Sequence, residues 1–191
     1  MANLVIDIGN TALKAAWAEE LTLGRTYRYQ GERIMDFIIS LTAEQKPEIM
    51  VLSSVRNFSK KDVSVLKEHC GKLIVVDESV SGKYDLPEYL TPDRTASLIA
   101  ARHLFKNKGC TVFDLGAMLT VDFIDKEGKY LGGNVSLGCR TRFKSLHRYS
   151  KNLPLLQCQE EVQEIGNDVF SSIHSGVISG MVFELTGYLS Q

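Results

Sequence analysis

The 191-residue sequence predicts an α/β fold built on a duplicated unit. Three observations carry the prediction. Leu4-Val5-Ile6-Asp7-Ile8-Gly9-Asn10-Thr11-Ala12-Leu13-Lys14-Ala15-Ala16-Trp17 reads as strand, tight turn, strand. Thr111 to Asp125 repeats that plan, with Asp114-Leu115-Gly116 standing where the first copy has Asp7-Ile8-Gly9. From the first copy onward, apolar runs alternate with helical periodicities in the order β-β-β-α-β-α-β, the first two strands being those of that copy. Ligands favour the interface of two such halves, so a cleft is expected there.

Thr26 to Tyr29 is a candidate third strand, and Ile34, Phe37, Ile38 and Leu41 share one helical face. Pro47 precedes Glu48 to Val55, an apolar run expected as a buried parallel strand. Ser59 suits the N-cap of a helix to His69, and Gly71 stops it. Leu73 to Val76 is another strand. Ser79 to Pro92, with Gly82 and Pro87, is expected as an irregular surface connection. Asp93 then opens a helix whose packing face is expected at Ala96, Ala100, Ala101, Leu104 and Phe105. Lys106 to Gly109 breaks that helix, which divides the chain into halves at 1–108 and 109–191. In the second half, Lys126-Glu127-Gly128 turns the chain back into Tyr130 to Ser136. A basic helix is expected from Arg140 to Leu153, and a helix capped by Asn167 and Asp168 from there to Leu189. Gly176 and Gly180 in the last helix suggest a tight helix contact.

Hydrophobic residues make up 44% and charged residues 24%, an ordinary globular composition. A net charge of −1 argues against a protein devoted to nucleic acid. The basic helix is therefore expected to be a solvated face. No segment has the length of a membrane span, no secretory leader is legible, and a cytoplasmic location is expected. Cys70, Cys110, Cys139 and Cys158 form no metal-binding spacing and are expected as reduced thiols.

The chemistry is concentrated at the two turns. Asp7 ends a strand that should be buried, a costly place for an idle charge. Gly9 lets an anion approach the backbone, Asn10 and Thr11 offer donors, and Lys14 lies across the turn within reach of a phosphate. Two carboxylates, Asp7 and Asp114, suit a hydrated divalent ion bridging phosphate oxygens. No P-loop and no dinucleotide fingerprint is present. Asp93 has two readings, helix cap or a third carboxylate that accepts a proton. Arg94 is expected to be solvated unless a cleft holds it against a carboxylate.

The ordered set Asp7-Ile8-Gly9-Asn10-Thr11-x-x-Lys14, Ser53-Ser54-Val55, Tyr84 followed by Asp93-Arg94, Asp114-x-Gly116, and Gly132-Gly133-Asn134-x-Ser136-x-Gly138 running into Arg142-Phe143-Lys144-x-Leu146-His147 resembles the type III pantothenate kinases. That family is a branch of the acetate-kinase/sugar-kinase/Hsp70/actin superfamily. The resemblance implies two ribonuclease-H-like, actin-like halves with mixed sheets flanked by helices, the second half incomplete relative to the family. It implies ATP-dependent phosphorylation of the pantothenate 4′-hydroxyl, with Mg2+ and a monovalent cation, K+ or NH4+, in a homodimer. Carried over by position, Asp7, Ile8, Gly9, Asn10, Thr11, Lys14, Gly116 and Ala117 would bind ATP. Asp93 would be the general base. Tyr84, Thr91, Pro92, Asp93, Arg94 and Val169 would line the pantothenate site, and Asp114 would hold the monovalent ion.

The sequence departs from the family pattern at named places. Thr91 replaces a glycine, Ala117 and Met118 replace Thr-Ala, Leu137-Gly138 replaces Pro-Gly, and Val169 replaces a threonine. The family also continues through a strand and a helix beyond the position of Gln191. These changes weigh against efficient turnover. They support an alternative, a catalytically degenerate relative that binds nucleotide or pantothenate or acts in regulation.

Overall fold

The computed structural model describes residues 2–159 and 161–190; Gln191 lies outside them. The chain divides into two compact units, Met1–Leu104 and Phe105–Gln191.

The first unit is a mixed sheet in the order β3-β2-β1-β4-β5, with β1 Asn3–Ile8, β2 Leu13–Glu19, β3 Thr22–Tyr29, β4 Ile49–Ser54 and β5 Lys72–Val75. β1, β2 and β3 form an antiparallel meander, while β1, β4 and β5 run parallel. The alternation of β1 decides its faces. Leu4, Ile6 and Ile8 are fully buried in a cluster with Leu13, Met50, Leu52, Ile38 and Leu66. Ile38 comes from helix α1, Ile34–Leu41, and Leu66 from α2, Lys60–Glu68, so both helices cover that face. Asp7 falls on the opposite side of the strand and is half-buried. Ser59 caps α2 in a reciprocal box with Asp62, and the Ser59 hydroxyl holds the Asp62 carboxyl below its usual range.

Several expectations need correction. β3 begins at Thr22, so it pairs with β2 along a longer edge than Thr26 to Tyr29. The stretch from Ser79 to Pro92 is not wholly irregular. It contains a short helix, α3 Glu78–Lys83, started by Asp77, whose carboxylate accepts the Ser79 and Val80 N–H groups. The next helix, α4 Pro92–Leu104, contacts β4, and its buried face shares only Ala101 with the one expected. Arg94, Thr95, Leu98 and Ala101 point inward, whereas Leu104 and Phe105 are exposed and Ala100 faces solvent. Arg94 is only 7% exposed, so it is not a solvated side chain. Hydropathy misleads here because an arginine and a threonine occupy core positions.

The second unit is an antiparallel sheet in the order β6-β7-β8, from Cys110–Leu115, Met118–Ile124 and Tyr130–Leu137. Helices α5 Cys139–Tyr149 and α6 Val169–Leu189 pack together through Phe143, Ile173 and Val177. Asp168 caps α6 as expected. Its carboxyl is held low, first by the Ser171 N–H and then by the Ser171 hydroxyl. Leu153 lies beyond the end of α5 but packs on the same cluster. The expected tight contact at Gly176 and Gly180 is absent among the described residues. A Cβ at either glycine would meet open space, and the helix packs through the neighbouring Ile173 and Val177 instead.

Candidate active site

In the first unit the parallel strands end together, and the groups of interest follow those ends. Asp7 lies beside Ser53 of β4 and opposite Lys14 of β2. The Ser53 hydroxyl donates to Asp7 Oδ1 at 3.4 Å, a long bond from a side chain that is itself buried. Directly opposite residues of an antiparallel pair share a face, so Asp7 and Lys14 project to the same side of the hairpin. Residues 9–12 close that hairpin with a Gly9 N–H bond to the Ala12 carbonyl at 3.1 Å. The Val55 N–H bonds the Ile8 carbonyl at 3.0 Å and holds the loop from the β4 side.

Gly9 is not demanded by this turn. Its φ lies outside the left-handed region, and an added Cβ would meet only the Ala12 carbonyl oxygen, at an ordinary 3.7 Å. The bare backbone there therefore serves no packing purpose within the loop, and it leaves room for a bulky anion.

A cavity of about 640 Å3 opens at the carboxyl ends of β4 and β5. Val55 and Arg56 line it after β4, Val76 and Asp77 after β5, and Thr91 and Pro92 at the start of α4. Crevices at the ends of parallel strands are the usual ligand sites of such sheets. Of the predicted substrate residues, Thr91 and Pro92 line this cavity, while Tyr84, Asp93 and Arg94 do not. Asp93 is half-buried in the first turn of α4, where the helix dipole favours a carboxylate, and its Oδ1 accepts the Arg94 N–H at 2.9 Å. Tyr84 is exposed at the C-cap of α3, and Arg102 of α4 donates to its carbonyl. Sequence reasoning missed Arg56, Asp77 and Arg102. The signal for the first two was their place just after a parallel strand; Arg102 had none.

In the second unit, Asp114 is half-buried and pairs in register with Thr120. Gly116 and Ala117 form the turn, closed by the Gly116 N–H to the Met118 carbonyl at 2.9 Å. The start of α5 braces this turn. The Gly138 N–H donates to the Ala117 carbonyl at 3.0 Å, and the Thr141 hydroxyl donates to the same oxygen at 2.5 Å. A Cβ at Gly138 would come within 2.1 Å of the Gly116 oxygen, so glycine is required for this approach. Val169, half-exposed at the start of α6, lines a separate cavity of about 610 Å3 with Leu153, Asn167 and Ile173.

One polar network ties the second unit together. Glu184 of α6 accepts the Ser136 hydroxyl at 2.6 Å and pairs with Arg142, whose Nε also donates to the Leu137 carbonyl at 2.7 Å. The Ser136 hydroxyl, and then Arg142, hold the Glu184 carboxyl below the usual range against the opposing effect of burial.

The sequence profile of the type III pantothenate kinases matches residues 3–191. The chain belongs to this family. Type III pantothenate kinases from Bacteroides fragilis and Cytophaga hutchinsonii are 30% and 35% identical to it. Each alignment covers 98% of this chain and 79% of the relative. Among solved structures, a Baf family transcriptional activator from Campylobacter jejuni superposes with a TM-score of 0.62 at 20% identity, covering 96% of this chain and 78% of that one. The ethanolamine utilization protein EutJ from Carboxydothermus hydrogenoformans gives 0.51 at 16% identity, with 100% and 72% covered. These likenesses establish the fold, a mixed α/β architecture of two sheets flanked by helices. Among the described residues no helix is long and apolar enough to cross a membrane.

Proposed function

We propose that this type III pantothenate kinase family member transfers the γ-phosphoryl group of ATP to the 4′-hydroxyl of pantothenate. One observation carries the reading: the family match spans the whole of residues 3–191, including Asp7, Asp93 and Asp114.

Each side chain has an assigned task. Residues Asp7 to Thr11, with Lys14, take the ATP phosphates; the exposed loop tip and the idle Cβ position of Gly9 support this. Gly116 and Ala117 are assigned to the nucleotide by their position in the family pattern alone. Asp93 receives the proton of the acceptor hydroxyl. A loose, metaphosphate-like transition state asks little basicity of the proton acceptor, so its position at the helix start is what matters. Thr91 and Pro92 of the strand-end cavity, with Tyr84 and Arg94, hold pantothenate, and Val169 is assigned to the substrate by its position in the family pattern alone. The ribonuclease-H-like halves are assigned to 1–108 and 109–191 from the sequence plan.

No cluster of three or more potential metal ligands occurs among the described residues, so an all-protein metal cage is not expected. Single carboxylates fit hard cations that keep most of their water and take phosphate oxygens as further ligands. Asp7 would hold Mg2+ in that way, and Asp114 a K+ or NH4+ ion. The bound cations would neutralise charge on the transferring phosphoryl group. The working state is a cytoplasmic homodimer, which light scattering on the purified chain checks.

The decisive assay couples ADP release to pantothenate, with Mg2+ and K+ present. Turnover that depends on pantothenate is expected, falling about 10²–10⁴-fold in Asp93→Asn. Absence of turnover in the intact protein, or an unchanged rate in that variant, overturns the assignment.

A further inference from the structure

The turn at Gly116 and Ala117 is gripped from one side, and the grip traces back to a single guanidinium. The Ala117 carbonyl oxygen accepts from the Gly138 N–H at 3.0 Å and from the Thr141 hydroxyl at 2.5 Å. Both donors sit where β8 passes into α5. Arg142 fixes that step. Its backbone N–H bonds the Gly138 carbonyl at 2.9 Å, its Nε donates to the Leu137 carbonyl at 2.7 Å, and its Nη2 donates to the Ser136 hydroxyl at 3.2 Å. Leu137 pairs with Met118 in the β7–β8 register, so the anchored strand end lies beside the turn. Glu184 of α6 aims the guanidinium. One carboxylate oxygen pairs with Nη2, and the other accepts the Ser136 hydroxyl at 2.6 Å. The two side chains are 21% and 22% exposed, so water weakens this pair less than an open surface pair. A charge-assisted fork of this kind fixes geometry as well as charge. Arg140, Lys144 and Arg148 of the same helix are exposed instead.

We propose that Arg142, aimed by Glu184, is a positioning residue for nucleotide binding at the Gly116–Ala117 turn, an inference that rests on the assignment of that turn to ATP. Arg142 acts through its neighbours and not on the phosphates. It places Gly138 and Thr141, and these place the Ala117 carbonyl and with it the turn. The contact has no slack, since a Cβ at Gly138 would lie 2.1 Å from the Gly116 oxygen. A shift of the β8–α5 step is therefore passed on to the turn. A lysine at position 142 would keep the charge, but a point charge on a flexible stem cannot hold Leu137, Ser136 and Glu184 together.

Arg142→Lys and Glu184→Gln test the proposal, beside Arg148→Gln on the exposed side of the same helix. Calorimetry gives the Kd for ATP, and coupled ADP release gives the kinetic constants, at a temperature where circular dichroism shows each variant folded. In Arg142→Lys and Glu184→Gln the Kd and KM for ATP should rise about tenfold, while kcat and the KM for pantothenate stay within about twofold. Arg148→Gln should match the parent. Hydrogen exchange should quicken at the Gly116 and Gly138 N–H groups and stay unchanged at the Gly9 N–H, which closes the hairpin of the first unit. A purely structural role would lower the active fraction and leave the ATP constants of the remainder untouched. Parent-like ATP constants in both variants, or equal losses for ATP and pantothenate, would overturn the proposal. If neither variant folds, Thr141→Val carries the same test, because it removes one donor to Ala117 and leaves the ion pair intact. A parent that binds ATP without turning over pantothenate would end the kinase reading alone, and the ratio of ATP Kd values would then decide this proposal. A parent that binds no ATP would overturn both.

Discussion

The two hairpins share a sequence plan but are braced in different ways. The first, β1–β2, lies inside a five-stranded sheet, and its loop is held by the neighbouring parallel strand through Val55 and Ser53. The second, β6–β7, lies in a three-stranded sheet, and its turn is held from the start of a helix through Gly138 and Thr141. The glycines divide accordingly. Gly9 and Gly116 could each carry a Cβ at ordinary contact distance, whereas Gly138 could not. The repeated Asp-x-Gly thus answers no shared mechanical need. The mechanical need falls on a glycine outside the repeat.

The largest expected effect separates the two acids. Asp7→Asn should lower kcat/KM for ATP by about 10²–10³-fold, the cost of losing one charge-stabilising group. Asp114→Asn should instead act mainly on the response to K+. Equal salt responses in the two variants would erase the distinction. Next, Gly138→Ala should destabilise the second unit by about 1–3 kcal/mol through overpacking against the Gly116 oxygen, measured by urea unfolding. Gly9→Ala sharpens the contrast. Its stability should stay within about 0.5 kcal/mol of the parent, while the KM for ATP rises about tenfold, roughly 1.4 kcal/mol. A destabilised but fully active variant would reverse the roles assigned to these glycines.

The smallest effect concerns the brace behind the second hairpin. Glu184→Gln removes charge-assisted bonds to Ser136 and Arg142 and should cost about 1–2 kcal/mol at neutral pH. Because the folded carboxyl titrates below its unfolded value, its contribution is fully present above the ordinary carboxylate range. It fades as pH falls through the lowered value. Parent and variant should therefore converge in acid, as unfolding midpoints at stepped pH would show.

Much of this was legible in sequence because single residues dictate it. Ser59 and Asp168 announce their helices, the Leu4-Ile6-Ile8 alternation defines the core face, and Asp93 falls in a first turn. What was illegible depends on neighbours remote in sequence. Helix α3 is short and sits among glycine and proline, so periodicity had too few residues to register it. Arg94 and Thr95 are buried against the grain of hydropathy. Arg102 of α4 reaches back to the Tyr84 carbonyl at the C-cap of α3, eighteen residues away in sequence. The cavity after β4 and β5 needed the strand order, which no local pattern supplies.

The most direct measurement is the mass of pantothenate recovered after incubation with the chain, ATP, Mg2+ and K+. The account predicts a gain of one phosphoryl group, strongly reduced with Asp93→Asn. Unchanged pantothenate, or equal product from the parent and that variant, would contradict it.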